Sequence, residues 1–149
     1  MSSPTYTGSC YCRAIQYEIN LDSPSSPSSS SAHTSICHCQ NCKKFTGSPF
    51  GTTTKLPLSS LHITAGDPVV HIANNRSGTQ LRREFCGTCG SPIQERGEHA
   101  GDFTYVFYGT LDERGRRELR PKGEFFCKVR EEWVGDVKGD VFRKQGIKE

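Results

Sequence analysis

Eight cysteines carry most of the chemistry that this chain of 149 residues can perform. Seven of them fall into three short groups, which are Cys10 and Cys12, then Cys37, Cys39 and Cys42, then Cys86 and Cys89. Because the intracellular environment keeps thiols reduced, such spacing there is more typical of metal ligands than of disulfides. We therefore interpret the three groups as ligands of zinc.

The segment FCGTCG, which contains Cys86 and Cys89, has the form of a zinc knuckle. Its glycines let the chain turn tightly enough for both sulfurs to face one metal ion. Two further thiolates from Cys10 and Cys12 would complete a closed tetrahedral site, which is the usual form of structural zinc. The spacing leaves open a second arrangement, in which Cys37 and Cys39 pair with the knuckle.

The central group, CHCQNC, supplies three ligands, and catalytic zinc usually has three protein ligands plus a water or substrate. We therefore predict an open, catalytic-type zinc site held by Cys37, Cys39 and Cys42. The alternative is a closed site, completed by Cys127 or by a histidine. The candidate histidines are His33, His38, His62, His71 and His99. His38 lies between two ligands, where its own coordination would be strained, so we predict a packing or hydrogen-bonding role for it.

The elements that must position these ligands have the pattern of short strands. Ile15, Tyr17, Ile19 and Leu21 alternate with polar residues, which is the period of a half-buried strand. Further strand candidates, each bounded by turn residues, are 61–64, 69–73, 81–85, 104–108 and 124–129. The sequence indicates one helical turn, at 40–45, which ends at the GSP of 47–49. These patterns predict a mainly β fold.

The length is that of one ordinary domain. We therefore predict a single zinc-binding domain over residues 1–143, followed by a frayed polar tail at 144–149. The run SPSSPSSSSAHT at 23–34 contains too little apolar surface to pack, so it is predicted to be a flexible loop.

Composition sets the remaining limits. Only 33% of residues are hydrophobic, so metal cross-links would help to stabilise a core of this size. The N-terminal residues do not form a secretory signal, and no run approaches the ~18 apolar residues of a membrane span. We expect a soluble cytoplasmic protein, with the nucleus as an alternative, and no membrane partner. The net charge of +3 does not by itself predict nucleic-acid binding.

Five motifs in order give the chain a family resemblance. They are GSCYC (8–12), CHCQNCKKFTGSPF (37–50), EFCGTCGSPI (84–93), GTLDE (109–113) and FFCKVREEWV (125–134). Together they resemble the glutathione-dependent formaldehyde-activating enzyme family, which includes centromere protein V. The resemblance extends from about residue 7 to residue 142, apart from the serine-rich run.

The resemblance implies a β-tent fold, in which small antiparallel sheets carry two zinc sites. It implies that Cys10, Cys12, Cys86 and Cys89 form the structural site and that the central group forms the catalytic one. It also implies the family activity, a carbon–sulfur lyase reaction that interconverts S-(hydroxymethyl)glutathione with glutathione and formaldehyde. Three thiolates blunt the Lewis acidity of zinc, so we expect the open site to hold or exchange a thiol. Cys127 is then expected to be a buried strand thiol.

Residues around the open site have two interpretations each. Ser48 and Phe50 could line its open side, or could be a turn residue and a core aromatic. Thr110 and Asp112 are expected to close a turn rather than to transfer protons.

Two alternatives to an enzyme remain at this stage. One is a nucleic-acid or chromatin module, suggested by the centromere relative and by the basic residues at 82–83 and 114–122, of which the second group is expected on a loop as solvated surface. The other is a zinc-stabilised scaffold whose second site is chemically idle.

Overall fold

Two β-sheets form the framework of the chain in a computed structural model that describes residues 4–21, 32–74 and 78–146. The strands are β1 Thr5–Ser9, β2 Gln16–Asn20, β3 His33–Cys37, β4 Gly51–Pro57, β5 Leu61–Ala65, β6 Val69–Asn74, β7 Gln80–Phe85, β8 Pro92–Gly97, β9 Phe103–Phe107, β10 Pro121–Phe125 and β11 Phe142–Arg143. The helices are α1 Gln40–Thr46 and α2 Glu113–Glu118, and short 3₁₀ turns lie at Leu58–Ser60, Tyr108–Thr110 and Cys127–Val129. The predicted mainly β fold is confirmed.

The two sheets differ in size and in strand direction. The small sheet is antiparallel, with the order β1-β2-β5, and the large one has the order β11-β10-β3-β4-β9-β8-β7-β6. The large sheet is mixed, because β10 pairs in parallel with both β3 and β11. It places the end of β3, where the central cysteines begin, beside the end of β10.

Most strand predictions agree with the structure, and two segments require correction. The strand predicted at 124–129 is instead β10, which ends at Phe125, because Phe126 has a left-handed backbone (φ 56°) and a 3₁₀ turn follows it. The helical turn predicted after Cys39 is present as α1, which ends at Gly47 (φ 67°). The basic segment expected on loops forms α2 in its first half.

The loop predicted at 23–34 ends earlier than expected. His33 and Thr34 are the first residues of β3, where Thr34 pairs with Thr54 of β4. Residues 22–31, which contain most of the predicted loop, lie outside the described residues.

The hydrophobic core lies between the two sheets and contains the side chains that alternate along the first part of the chain. Its members, each at most 7% exposed, include Tyr6, Ile15, Tyr17, Ile19, Leu56, Ile93, Val106 and Leu111. Full burial of one such side chain contributes about 1.5–3 kcal/mol. The small sheet is therefore fixed to the large one mainly by apolar packing.

A close contact at Gly8 completes the junction between the sheets. The Tyr17 hydroxyl lies 2.7 Å from the Thr110 hydroxyl. A Cβ at Gly8 would overlap the Tyr17 hydroxyl oxygen and lie 2.6 Å from the Thr110 carbonyl oxygen. Asp112 accepts a hydrogen bond from the Thr7 hydroxyl at 2.6 Å. Thr110 and Asp112 thus hold the turn against the small sheet.

The C-terminal residues return to the edge of the large sheet. The Lys144 amide donates to the Glu124 carbonyl at 2.9 Å, and the Cys127 amide donates to the Lys144 carbonyl at 3.0 Å. Lys144 is therefore ordered against β10, whereas the predicted frayed tail began at this residue. In the described part of the chain, no helix is both long and apolar enough to cross a membrane.

Candidate metal centres

The first cysteine cluster joins the start of the chain to its middle. The sulfurs of Cys10, Cys12, Cys86 and Cys89 all lie within 4.8 Å of one another. The Cys12 sulfur is 3.7 Å from those of Cys10 and Cys86. Four sulfurs at about 2.3 Å from a central zinc stand about 3.8 Å apart, so these separations fit a tetrahedral zinc site.

Two similar turns present these four thiols. The Cys10 amide donates to the Ile15 carbonyl, and the Cys86 amide donates to the Ser91 carbonyl, each across five residues. In both turns the residue after the second cysteine has a left-handed backbone, with φ of 68° at Arg13 and 80° at Gly90. The chain therefore closes the same turn twice, once with the glycine that this conformation favours and once without it.

Backbone amides donate to the sulfurs of this cluster, and two of the four thiols have a lowered pKa. The Ile15 amide donates to the Cys10 sulfur at 3.2 Å, and the Thr88 and Cys89 amides donate to the Cys86 sulfur. Backbone hydrogen bonds lower the pKa of Cys86, and they lower that of Cys89 to about 5. Zinc binds thiolates, so the lowered pKa of these two thiols suits it.

The second cluster forms where β3 gives way to α1. The sulfurs of Cys37, Cys39 and Cys42 lie within 4.8 Å of one another. Cys39 is the N-cap of α1, and its sulfur accepts from the Cys42 amide at 3.4 Å. Hydrogen bonds from the Cys37 and Cys42 thiols lower the pKa of Cys39 to about 2, while contact with the other two thiols raises the pKa of Cys42.

No fourth ligand joins the central three within the described ranges. Cys127 lies in the 3₁₀ turn after β10 rather than in a strand, and its thiol donates to the Glu124 carbonyl at 3.7 Å. The histidines at 33, 62, 71 and 99 remain outside both clusters. His38 is fully buried and contacts Glu124, which confirms the hydrogen-bonding role predicted for it.

Two contacts that sequence patterns did not indicate hold the helix of this cluster against the large sheet. Gly51, the first residue of β4, is buried against the helix, and a Cβ there would lie 3.0 Å from the Cys42 Cβ and 3.4 Å from its sulfur. The Arg83 guanidinium stacks on the Phe45 ring of α1 at 4.3 Å and donates to Glu95 at 2.9 Å. These contacts fix the position of α1 on the large sheet.

A cavity of about 660 Å³ opens beside Cys10 of the first cluster, and Cys37, Cys39 and Cys42 are not among the residues that line it. Its walls include Tyr11 of the first cluster's turn and the residues that follow the second cluster, namely Thr46, Ser48 and Phe50. Ser48 and Phe50 therefore line this cavity, and Phe50 also packs edge-on against His38 at 5.7 Å. Volumes of about 300–1,000 Å³ are typical of sites for small molecules.

Charged groups at the cavity wall are two cations and one carboxylate. Arg13 and Arg116 provide the positive charges, and Asp112 provides the negative one. The other arginines of α2 face acidic neighbours, since Arg114 donates to Glu118 at 2.7 Å. The basic helix is thus partly neutralised along its own surface.

The mainly β fold and the two clusters define a class of small β proteins with cysteine donor sets suited to zinc. Comparison with known families makes this specific. The chain belongs to the glutathione-dependent formaldehyde-activating enzyme family, whose model matches residues 5–129. This confirms the resemblance inferred from the five motifs.

Individual relatives agree with this assignment. An Aspergillus terreus protein named "Putative glutathione-dependent formaldehyde-activating enzyme" is 28% identical over 93% of this chain and 70% of its own length. A Schizosaccharomyces pombe protein described as an uncharacterized lyase is 26% identical over 60% of this chain and 56% of its own. A crystal structure of a Rhodobacter sphaeroides protein shares the fold, with a TM-score of 0.54 and 21% identity, over 76% of this chain and 94% of that one.

Proposed function

We propose that the chain is a zinc-dependent enzyme that joins a thiol such as glutathione to a small aldehyde such as formaldehyde, a carbon–sulfur lyase reaction. The observation that carries the proposal is a group of three thiols without a fourth protein ligand in the described residues. Thr46, Ser48 and Phe50, which follow this group in the chain, line a cavity of about 660 Å³. Cys10, Cys12, Cys86 and Cys89 would hold a structural zinc. Cys37, Cys39 and Cys42 would hold a second zinc, which supplies stabilisation of an incoming thiolate.

The cavity walls suit glutathione by charge. At neutral pH glutathione carries two carboxylates and one ammonium group, and the walls offer Arg13, Arg116 and Asp112. We assign the carboxylates to the arginines, whose planar guanidinium groups match carboxylates well, and the ammonium to Asp112. Phe50 supplies an apolar wall that excludes water from the reacting atoms.

The reaction itself needs no oxidant or further reagent. The sulfur of the thiolate attacks the carbonyl carbon of the aldehyde, one C–S bond forms, and the carbon–oxygen π bond breaks. The proton released by the thiol ends on the resulting alkoxide oxygen, so the product is a hydroxymethyl thioether. The task of the protein is to bring the two reactants together in the right orientation.

Cysteine substitutions test the proposal. We expect the wild-type chain to bind two zinc ions and Cys42→Ser to bind one, with loss of glutathione binding and of hydroxymethyl thioether formation above the spontaneous rate. Cys127→Ser is the matched control, because its thiol lies outside both clusters, and it should retain both metals and the activity. Retained catalysis in Cys42→Ser after loss of the second zinc would refute the proposal.

A further inference from the structure

A buried carboxylate contacts the residue that lies between two cysteines of the second cluster. Glu124 of β10 is 0% exposed. One of its oxygens lies 2.9 Å from His38 Nε2, and the other accepts from Arg143 Nε at 2.9 Å and from Arg130 Nη2 at 3.3 Å. Burying a carboxylate costs several kcal/mol unless it is paired, so this position depends on its three partners.

The two arginines come from a part of the chain that the family model does not cover. The match ends at residue 129, and the arginines lie at either end of the segment 130–144. Arg130 also binds Asp136 at 2.6 Å, and Arg143 donates to the Val137 carbonyl at 2.6 Å. The segment is therefore tied to itself as well as to Glu124.

The edge of the large sheet receives the end of this segment. β11 pairs in parallel with β10, and the Phe142 ring packs edge-on against Phe125 at 5.6 Å. The Phe142 ring also covers Gly123, where any Cβ would overlap that ring. Backbone pairing and aromatic packing thus hold Arg143 at a defined position relative to Glu124.

On its other side, Glu124 determines the orientation of His38. The imidazole is buried, and its Nδ1 has no hydrogen-bond partner among residues 4–21, 32–74 and 78–146, so the bond from Nε2 to Glu124 is the ring's hydrogen bond there. The His38 amide donates to the Phe125 carbonyl at 3.1 Å. Because His38 stands between Cys37 and Cys39, fixing its ring and backbone fixes the direction of both neighbouring thiols.

We propose that the segment 130–144 is a positioning device for the second metal centre. Arg130 and Arg143 hold Glu124, Glu124 holds His38, and His38 sets the geometry of Cys37 and Cys39. This inference rests on the proposed function, since it requires a metal at the central cluster. It assigns a role in metal geometry to residues that touch neither metal nor substrate.

The test uses Co²⁺ in place of zinc in the full-length chain, because Co²⁺ thiolate sites absorb visible light according to their geometry. We expect Arg143→Gln and Arg130→Gln to lower the Co²⁺ affinity of the second site about 10–100-fold, the range found when groups that orient metal ligands are removed. The absorption bands of that site should shift. The first cluster, in the same molecule, should retain its affinity and its spectrum.

Arg82→Gln is the matched control. Arg82 is 37% exposed and donates Nε to the largely buried Glu84, much as Arg143 is 31% exposed and donates Nε to Glu124. It lies on β7, four strands from β3 in the large sheet. It should leave the spectrum of the second site unchanged. Arg143→Lys provides a milder variant if Arg143→Gln does not fold, with a second-site affinity below that of wild type and an unchanged first site.

Each alternative outcome contradicts the proposal in its own way. An unchanged second-site spectrum and affinity in both arginine variants, with only the unfolding midpoint lowered, would reduce the segment to a source of stability. Equal losses at both sites, or the same loss in Arg82→Gln, would show general loosening. A wild-type chain that binds only one Co²⁺ would instead refute the proposed function. The Co²⁺ stoichiometry of the wild-type chain is therefore measured first, before the variants.

Discussion

Gly51→Ala should weaken the second metal centre selectively. The new methyl carbon would lie 3.0 Å from the Cys42 Cβ and 3.4 Å from the Cys42 sulfur. Non-bonded carbon atoms prefer about 3.5–4.0 Å, so the neighbours must move by several tenths of an ångström. The Cys42 Cβ belongs to α1, and this helix is fixed by its N-cap at Cys39 and by the stacking of Arg83 on Phe45.

The magnitude follows from the cost of overpacking, about 1–3 kcal/mol. Without metal, rotation of the Cys42 side chain relieves part of the strain at its sulfur. With metal bound, the sulfur is held in place, so the strain at the sulfur falls on the bound state, where it adds to the Cβ contact that both states share. Since 1.4 kcal/mol corresponds to a tenfold change in an equilibrium constant, we expect the zinc affinity of this site to fall about 5–150-fold.

The assay is competition for zinc against a chromophoric chelator, with the first cluster as internal reference. Gly97→Ala serves as the control, because its methyl group would meet its nearest neighbour at an ordinary 3.8 Å. We expect the control to match wild type at both sites. An unchanged affinity of the second site in Gly51→Ala would refute the reasoning, because it would show that Cys42 does not hold the metal in this position.

Three further predictions concern stability. Gly8→Ala should lower the free energy of unfolding by about 3 kcal/mol in urea titrations, since its methyl group would overlap Tyr17; an unchanged midpoint would contradict the packing described. Burial raises the pKa of Glu124, but His38 and the two arginines outweigh burial and hold that pKa below its usual range. The carboxylate should therefore contribute fully to the free energy of unfolding above about pH 4.3, and this contribution should be lost as the pH falls through the folded-state pKa. Glu124→Gln should remove this part of the acid dependence, and an identical acid limb would argue against it. Arg13→Gly should raise stability by about 1 kcal/mol by relieving the left-handed backbone, yet weaken glutathione binding by calorimetry; equal binding would remove Arg13 from the proposed site.

The sequence was most informative where spacing or alternation is local. The four residues from Ile15 to Leu21 alternate because one face of β2 is buried against the core, and that pattern is visible within seven residues. The three cysteine groups are also local, so their partition into a cluster of four and a cluster of three could be predicted in outline. The family motifs then selected one of the two pairings that spacing had left open.

Strands β3 and β4 were missed because their buried faces are partly polar. Thr34 and Thr54 are 1% and 0% exposed, and their hydroxyl groups bond to each other at 2.7 Å inside the core. A pattern search that expects apolar residues at buried positions cannot detect such a pair. Helix α2 was missed for a related reason, since Gly115 interrupts the helical pattern but packs closely on Leu111.

The supporting contacts of the second cluster could not be predicted from local pattern at all. His38 and Glu124 are 86 residues apart in sequence, and neither lies in a motif that indicates a buried pair. Gly51 gains its role only because β4 runs against α1. Such contacts depend on the topology of the large sheet, which brings β10 beside β3 in parallel.

The spacing within the first cluster has a consequence for the growing chain during translation. Cys12 and Cys86 are separated by 74 residues, whereas Cys37 to Cys42 span six. At about 5–20 residues per second, Cys10 and Cys12 wait about 4–15 s for their partners, and the central three thiols emerge in between. A zinc ion bound to Cys10, Cys12 and two central thiols before the knuckle is made would have to exchange thiolates to reach the arrangement of the folded chain.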